Sequence, residues 1–178
     1  LALLIHAGAA VMAHGENQRT PLHFAAGAKT DENIKVLLDF GADVMAQDEH
    51  GWTPLHSAAA FGTPDHIKIL TKAGADVLAR NEHGITPPHW AAYLGSHVNV
   101  EALLRADSDV NSRDNDGQTP LHFAAGFGSP KKIGTLLKAA AKLDAADNLG
   151  RTPLHAAAKF GTPENIEKYI TIVESDPR

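Results

Sequence analysis

Cysteine is absent from the chain, and with it go disulfides, thiolate nucleophiles and cysteine-held zinc, although the compartment stays open. Aromatic residues are scarce at 6%, and the 43% of hydrophobic residues consists mostly of alanine and leucine, a supply suited to short, closely packed helices and not to a large cofactor pocket. No apolar run approaches the roughly 20 residues needed to cross a bilayer. Every such run is broken by glycine, histidine or charge, so the chain reads as soluble, without a membrane role. Leu1-Ala2-Leu3-Leu4-Ile5 looks superficially like a signal sequence, but no basic segment precedes it and no convincing cleavage site follows. There is no basic excess: 16 Lys and Arg stand against 21 Asp and Glu, a net charge of −5, which argues against broad affinity for nucleic acid. Gly-x-Ser-x-Gly, Walker and His-Glu-x-x-His patterns are missing too, so no catalysis, no small-molecule substrate and no cofactor are expected.

What the chain has is a period. Thr-Pro-x-His begins at Thr20, Thr53, Thr86, Thr119 and Thr152, each start 33 residues after the last, and a constant spacing of that length marks a stacked array of supersecondary units. In each unit the threonine suits a helix N-cap and the proline suits the first helical position, where a missing N–H costs nothing. Leu55, Ala58 and Ala59 then put small apolar atoms on one side of about two turns, and Gly62 stops that helix. Thr63-Pro64, Ser129-Pro130 and Thr162-Pro163 start a second helix, whose buried stripe reads Ile34, Leu37, Leu38; Ile67, Leu70; Val100, Leu103, Leu104; Ile133, Leu136, Leu137; and Ile166, Tyr169, Ile170. Gly74-Ala75-Asp76-Val77 supplies a left-handed exit, and Asn81-Glu82-His83-Gly84 supplies turn chemistry before the next motif.

Thr-Pro-Leu-His, two alanines, and Gly-Ala-Asp-Val some twenty residues later together resemble the ankyrin repeat over essentially the whole chain. The resemblance implies an all-α solenoid with β-hairpin-like finger loops. We divide 1–178 as a single ankyrin-repeat domain, with a partial repeat at 1–13 and repeats at about 14–46, 47–79, 80–112, 113–145 and 146–178. The uncapped Leu1, Leu3 and Leu4 suggest a fragment of a longer protein, and the closing Tyr169 to Arg178 contains no dedicated polar cap. The resemblance further implies a non-catalytic protein-protein interaction module that presents a concave finger and first-helix surface to a protein partner. The alternative is a targeting or regulatory segment of a larger enzyme or of a secreted bacterial effector, the style of residues 161–166 being similar to many bacterial ankyrin proteins. A cytoplasmic location is favoured over delivery into a host cell, and a monomer, or weak self-association through the ends, is expected.

Eleven histidines invite a metal reading. The resemblance gives His23, His56, His89, His122 and His155 a structural task, bonding the threonine of their own motif and nearby backbone; on units roughly 10 Å apart they are too distant to share a zinc ion. His50 and His83, with Glu49 and Glu82, read as polar finger tips, and His6, His14, His66 and His97 receive no role, so no metal is expected. The position before each motif threonine reads Arg19, Trp52, Ile85, Gln118 and Arg151. Large apolar groups have little reason to stand on solvated tips, and hot spots favour Trp and Tyr, so Trp52, Ile85 and Tyr93 are expected to form a central patch flanked by Arg19 and Arg151. Phe61, Leu94, Phe127 and Phe160 read as a stacked ladder between units, and Phe24, Trp90 and Phe123 as packing between repeats. Lys131, Lys132, Lys138 and Lys142 read as a solvated convex face. Pro88 replaces a packing leucine at a cost of about 2 kcal/mol, and Asp107 and Ala140 stand where a left-handed glycine is usual, costing up to about 1 kcal/mol each. A weak joint is expected over 86–112.

Overall fold

The computed structural model describes residues 1–175, with the side chains of 168 and 172–175 left aside; Asp176 to Arg178, the end of the stretch read above as containing no polar cap, lie outside the described residues. Within them the chain is helical without a strand. α1 (Ala2–His6) is followed by five helix pairs: α2 (Pro21–Gly27) with α3 (Asp31–Asp39), α4 (Pro54–Phe61) with α5 (Pro64–Lys72), α6 (Pro87–Tyr93) with α7 (His97–Arg105), α8 (Pro120–Phe127) with α9 (Pro130–Lys138), and α10 (Pro153–Phe160) with α11 (Pro163–Ser175). First helices pack on first helices and second on second, so the pairs form two layers. No helix is long and apolar enough to cross a membrane among these residues.

Each first helix starts as the motif dictates. Thr20, Thr53, Thr86, Thr119 and Thr152 are N-caps with proline directly behind, and the motif histidine closes a reciprocal capping box. Second helices use the simpler cap: Thr63 Oγ1 accepts from the His66 N–H at 3.2 Å and Ser96 Oγ from the Asn99 N–H at 3.2 Å. The core lies between the layers. Leu22, Leu55 and Leu121 of the first helices are fully buried against Ile34, Ile67, Leu70, Val100, Leu103, Ile133 and Leu136 of the second, each leucine contributing about 1.5–3 kcal/mol relative to an exposed one. Pro88 is buried in the leucine's place.

Two kinds of glycine space the layers. Gly62 ends α4 at φ −83, an ordinary angle; what excludes a side chain is that a Cβ would lie 2.5 Å from the carbonyl oxygen of Ala26 in the preceding unit. Gly41 and Gly74 make left-handed exits at φ 81 and 97, and Asp107 and Ala140 follow them at φ 62 and 63 despite their side chains.

The connections are hairpin-like without a ladder. Asp48 N–H donates to the Trp52 carbonyl at 2.9 Å, and Asp48 Oδ1 accepts from the backbone N–H groups of His50 and Trp52, both at 3.0 Å. Asn81, Asp114 and Asp147 repeat this closure. Neighbouring fingers are joined by a backbone bond each: Glu49 to Asn17, Glu82 to His50, Asn115 to His83 and Asn148 to Asp116.

Candidate binding surface

The motif histidines fix where the fingers stand. Thr53 N–H donates to Nδ1 of His56 at 3.1 Å, so the ring proton sits on Nε2, which donates to the carbonyl of Ile85 in the next unit at 3.1 Å. The same strut runs from His23 to Trp52, His89 to Gln118 and His122 to Arg151. Burial disfavours the charged ring and outweighs the carbonyl bond, so the pKa of His56 and of His89 falls to about 4, and those of His23 and His122 fall as well. A ring committed on both nitrogens is a strut. The consequence for binding is geometric: Trp52, Ile85, Gln118 and Arg151 each have their carbonyl pinned by the unit before.

A second set of polar groups ties the layers together, and sequence reading missed it. The third residue of the second helix is His66, Asn99, Lys132 or Asn165, all buried. His66 Nδ1 lies 3.0 Å from the Ala26 carbonyl, Asn99 Nδ2 reaches the carbonyls of Ala59 and Gly62 at 3.2 and 3.1 Å, Lys132 Nζ donates to the Tyr93 carbonyl at 2.9 Å, and Asn165 Nδ2 reaches Ala125 at 3.3 Å. Each satisfies carbonyls left open at the end of the first helix one unit back. Lys132 is therefore not part of a solvated face. It is 6% exposed, and burial lowers its pKa. Lys131, Lys138 and Lys142 are exposed as expected. His66, given no role in the sequence, is a wedge of the same kind. The 33-residue register of these four positions was the available signal.

The surface that remains is the exposed side of the first helices together with the finger bases. Trp52 and Tyr93 do not touch ring to ring; Trp90 joins them, with centroids 4.6 Å from Trp52 and 5.3 Å from Tyr93. Tyr93 meets Phe127 at 5.2 Å, and Phe127 stacks on Phe160 at 5.0 Å with the planes 25° apart. The result is one continuous band, oblique to the stack, running from the finger base of the second unit to the end of α10 in the fifth. Phe123 flanks it, 6.3 Å from Tyr93, and the band rests on the struts, since Trp52 packs edge-on against His56 and Phe123 against His89. Ile85 is half-buried in the finger beside it.

The expected ladder faces solvent: Phe61, Leu94, Phe127 and Phe160 are 44–60% exposed, and Phe127 and Phe160, the adjacent ring pair among them, stack. Trp90 and Phe123, read as packing between repeats, do pack: both are half-buried, as are Trp52 and Tyr93, and the exposed members of the band are Phe127 and Phe160. Phe24 is 58% exposed.

The two arginines stand at opposite ends. Arg19 Nε donates to Oδ2 of Asp48 at 3.1 Å and Arg151 Nε to Oδ2 of Asp147 at 2.7 Å, the carboxylates being buried beneath guanidinium groups that stay more than 40% exposed. Burial acts to raise the pKa of Asp147, but hydrogen bonds from the backbone and guanidinium of Arg151 and from Leu149 outweigh it and hold the group below its ordinary value. Asp114, whose finger carries Gln118 in place of arginine, is pushed up by burial. Gln118 itself is half-buried, its carbonyl accepting from His89. At the finger tips His50 lies 3.0 Å from Glu82 and 3.4 Å from Glu49, and His83 3.3 Å from Glu82, all on exposed side chains. Among the described residues no group of three His, Asp or Glu is arranged to hold a metal ion.

The family model for ankyrin repeats, described as three copies, matches residues 1–81 and again 88–174. No curated protein matches the chain. Two matches that together take in nearly every described residue agree with the paired helices, the capped Thr-Pro starts and the 33-residue register. The chain belongs to the ankyrin-repeat family, whose members are typically non-catalytic and generally serve as protein-protein interaction modules.

Proposed function

We propose that this chain is a non-catalytic binding module that presents the concave surface of its fingers and first helices to a protein partner, with Arg19, Trp52, Ile85, Tyr93, Gln118 and Arg151 among the contact positions. The observation that carries the reading is the aromatic band, half-buried at Trp52, Trp90 and Tyr93 and exposed at Phe127 and Phe160. Contiguous exposed apolar surface is costly to leave in water and marks interaction sites, and Trp, Tyr and Arg are the residues that dominate binding energy where a partner excludes solvent. Eight of the ten Phe, Trp and Tyr residues lie on or beside this side of the molecule, Phe40 and Tyr169 being the others. The struts and finger closures hold these side chains before a partner arrives, so little ordering cost falls on the interface.

The test is a calorimetric titration of a partner isolated by affinity capture. Replacing Trp52, Ile85 and Tyr93 together with alanine weakens binding tenfold or more while helical circular dichroism is unchanged. Phe127→Ser, at a side chain half in solvent, gives a second variant whose fold is not in question. Unchanged affinity in both would overturn the reading.

A further inference from the structure

The chain is acidic overall, yet the surface that carries the band is not. The first helices and finger bases contribute four positions per unit to it: the residue before the motif threonine and the fourth, seventh and eighth after it. Across five units these include Arg19, Arg151 and Lys159 and no Asp or Glu. Residues 113–161 carry seven Lys and Arg against four Asp and Glu, in a molecule of net charge −5. With a Debye length of about 8 Å at physiological ionic strength, the local surface and not the distant net charge decides what is tolerated at contact.

Two of these three cationic groups, Arg151 and Lys159, gather where the band ends at Phe160, and Arg19 stands at the opposite end. Gln118, Asp147, Arg151, His155, Lys159 and Phe160 line one depression between the fourth and fifth units. Lys159 Nζ stands 4.6 Å from the centre of the Phe160 ring, and Arg151 is steadied by the buried Asp147. Thr152 N–H donates to Nδ1 of His155 at 3.2 Å, so its Nε2 carries the proton and is a third donor on this wall. At the other end, beside Trp52, the finger tips carry Glu49 and Glu82, which would repel carboxylates.

Resting on the binding role proposed above, we infer that the partner contributes an amphipathic helix with an apolar stripe and acidic residues toward one end, laid along the aromatic band with its carboxylates at Arg151 and Lys159. Ring centroids along the band are 4.6–5.3 Å apart, close to the roughly 5–6 Å between i, i+3 and i+4 neighbours on a helix, whereas an extended chain offers a side chain to one face only every 6–7 Å or so. The four steps from Trp52 to Phe160 make a track of at most about 20 Å. That is about thirteen residues of helix.

The experiment selects from a display library of random peptides of about twenty residues against the purified chain. The inference expects enriched sequences to combine Leu, Phe, Trp or Met at i, i+3, i+4 and i+7 with Asp and Glu at one end. A representative synthetic peptide should bind the Lys159→Glu variant, and more so the Arg151→Glu/Lys159→Glu variant, at least tenfold more weakly, and changing its acidic residues to lysine should restore binding to the double variant. Peptides enriched in Lys or Arg, or indifferent to charge, would overturn this inference and leave the binding role standing provided Trp90→Ala and Phe127→Ala abolish their binding. Peptides that bind those two variants as well as the original chain would overturn both.

Discussion

Nε2 of His56 lies 3.1 Å from the carbonyl oxygen of Ile85, twenty-nine residues further along and one unit on, and this single contact joins the rigid part of the fold to the part that is free to vary. The ring that makes it must be neutral, because its Nδ1 accepts from Thr53 N–H. Stability therefore depends on pH in a calculable direction. His56 and His89 titrate near 4 in the fold and near 6.5 when unfolded, so the unfolded chain binds more protons between those values. Their contribution is complete above the unfolded pKa, declines as pH falls through the window, and is gone below about 4. Between pH 7 and pH 5 the loss is on the order of 2 kcal/mol for each ring. Urea midpoints should fall over that range, and the His56→Gln/His89→Gln variant, though weaker at pH 7, should show a flatter profile. A midpoint that rises on acidification would refute the assignment.

Lys132 and Lys131 are adjacent in sequence and opposite in consequence. Lys132→Ala removes a charge-assisted bond to the Tyr93 carbonyl and should cost about 2 kcal/mol, while Lys131→Ala should stay within about 0.5 kcal/mol. Lys132→Asn, which installs the side chain that Asn99 and Asn165 use at the same position, should recover part of the loss. Chemical denaturation of the three variants decides it; equal effects at 131 and 132 would return Lys132 to the solvated face.

Ala140 holds φ 63 with a Cβ in place. Ala140→Gly should stabilise by up to about 1 kcal/mol, and Asp107→Gly by less, since aspartate tolerates this region better than alanine. The same strain, with Pro88 in a leucine's place, predicts faster amide exchange over 86–112 than over 53–79. Equal protection would show that the joint is not weak.

The repeat and its interior were open to sequence reasoning because their chemistry is local. A threonine, a proline and a histidine within four residues define a capped helix start wherever they occur, and a 33-residue period reveals that the starts stack. What resisted was anything fixed by the offset between units. Lys132 looks like any helix-surface lysine until it is set beside Asn99 and Asn165, one unit on either side. The band was half-visible: Trp52 and Tyr93 stood out by residue type, but the residue that joins them, Trp90, was assigned to packing, because an oblique line across four units crosses different motif positions in each. The vertical line of Phe61, Leu94, Phe127 and Phe160 is the simpler pattern, and these side chains face solvent along it, but the ring contacts run obliquely through Trp90 and Tyr93.

The chain contains two tryptophans, Trp52 and Trp90, and both lie in the band with centroids 4.6 Å apart. Tryptophan emission, excited where tyrosine does not absorb, thus reads the proposed surface. At saturating partner the account predicts a blue-shifted emission maximum and at least a halving of iodide quenching, as solvent leaves both indoles. An emission spectrum and a quenching constant unchanged on binding would contradict it.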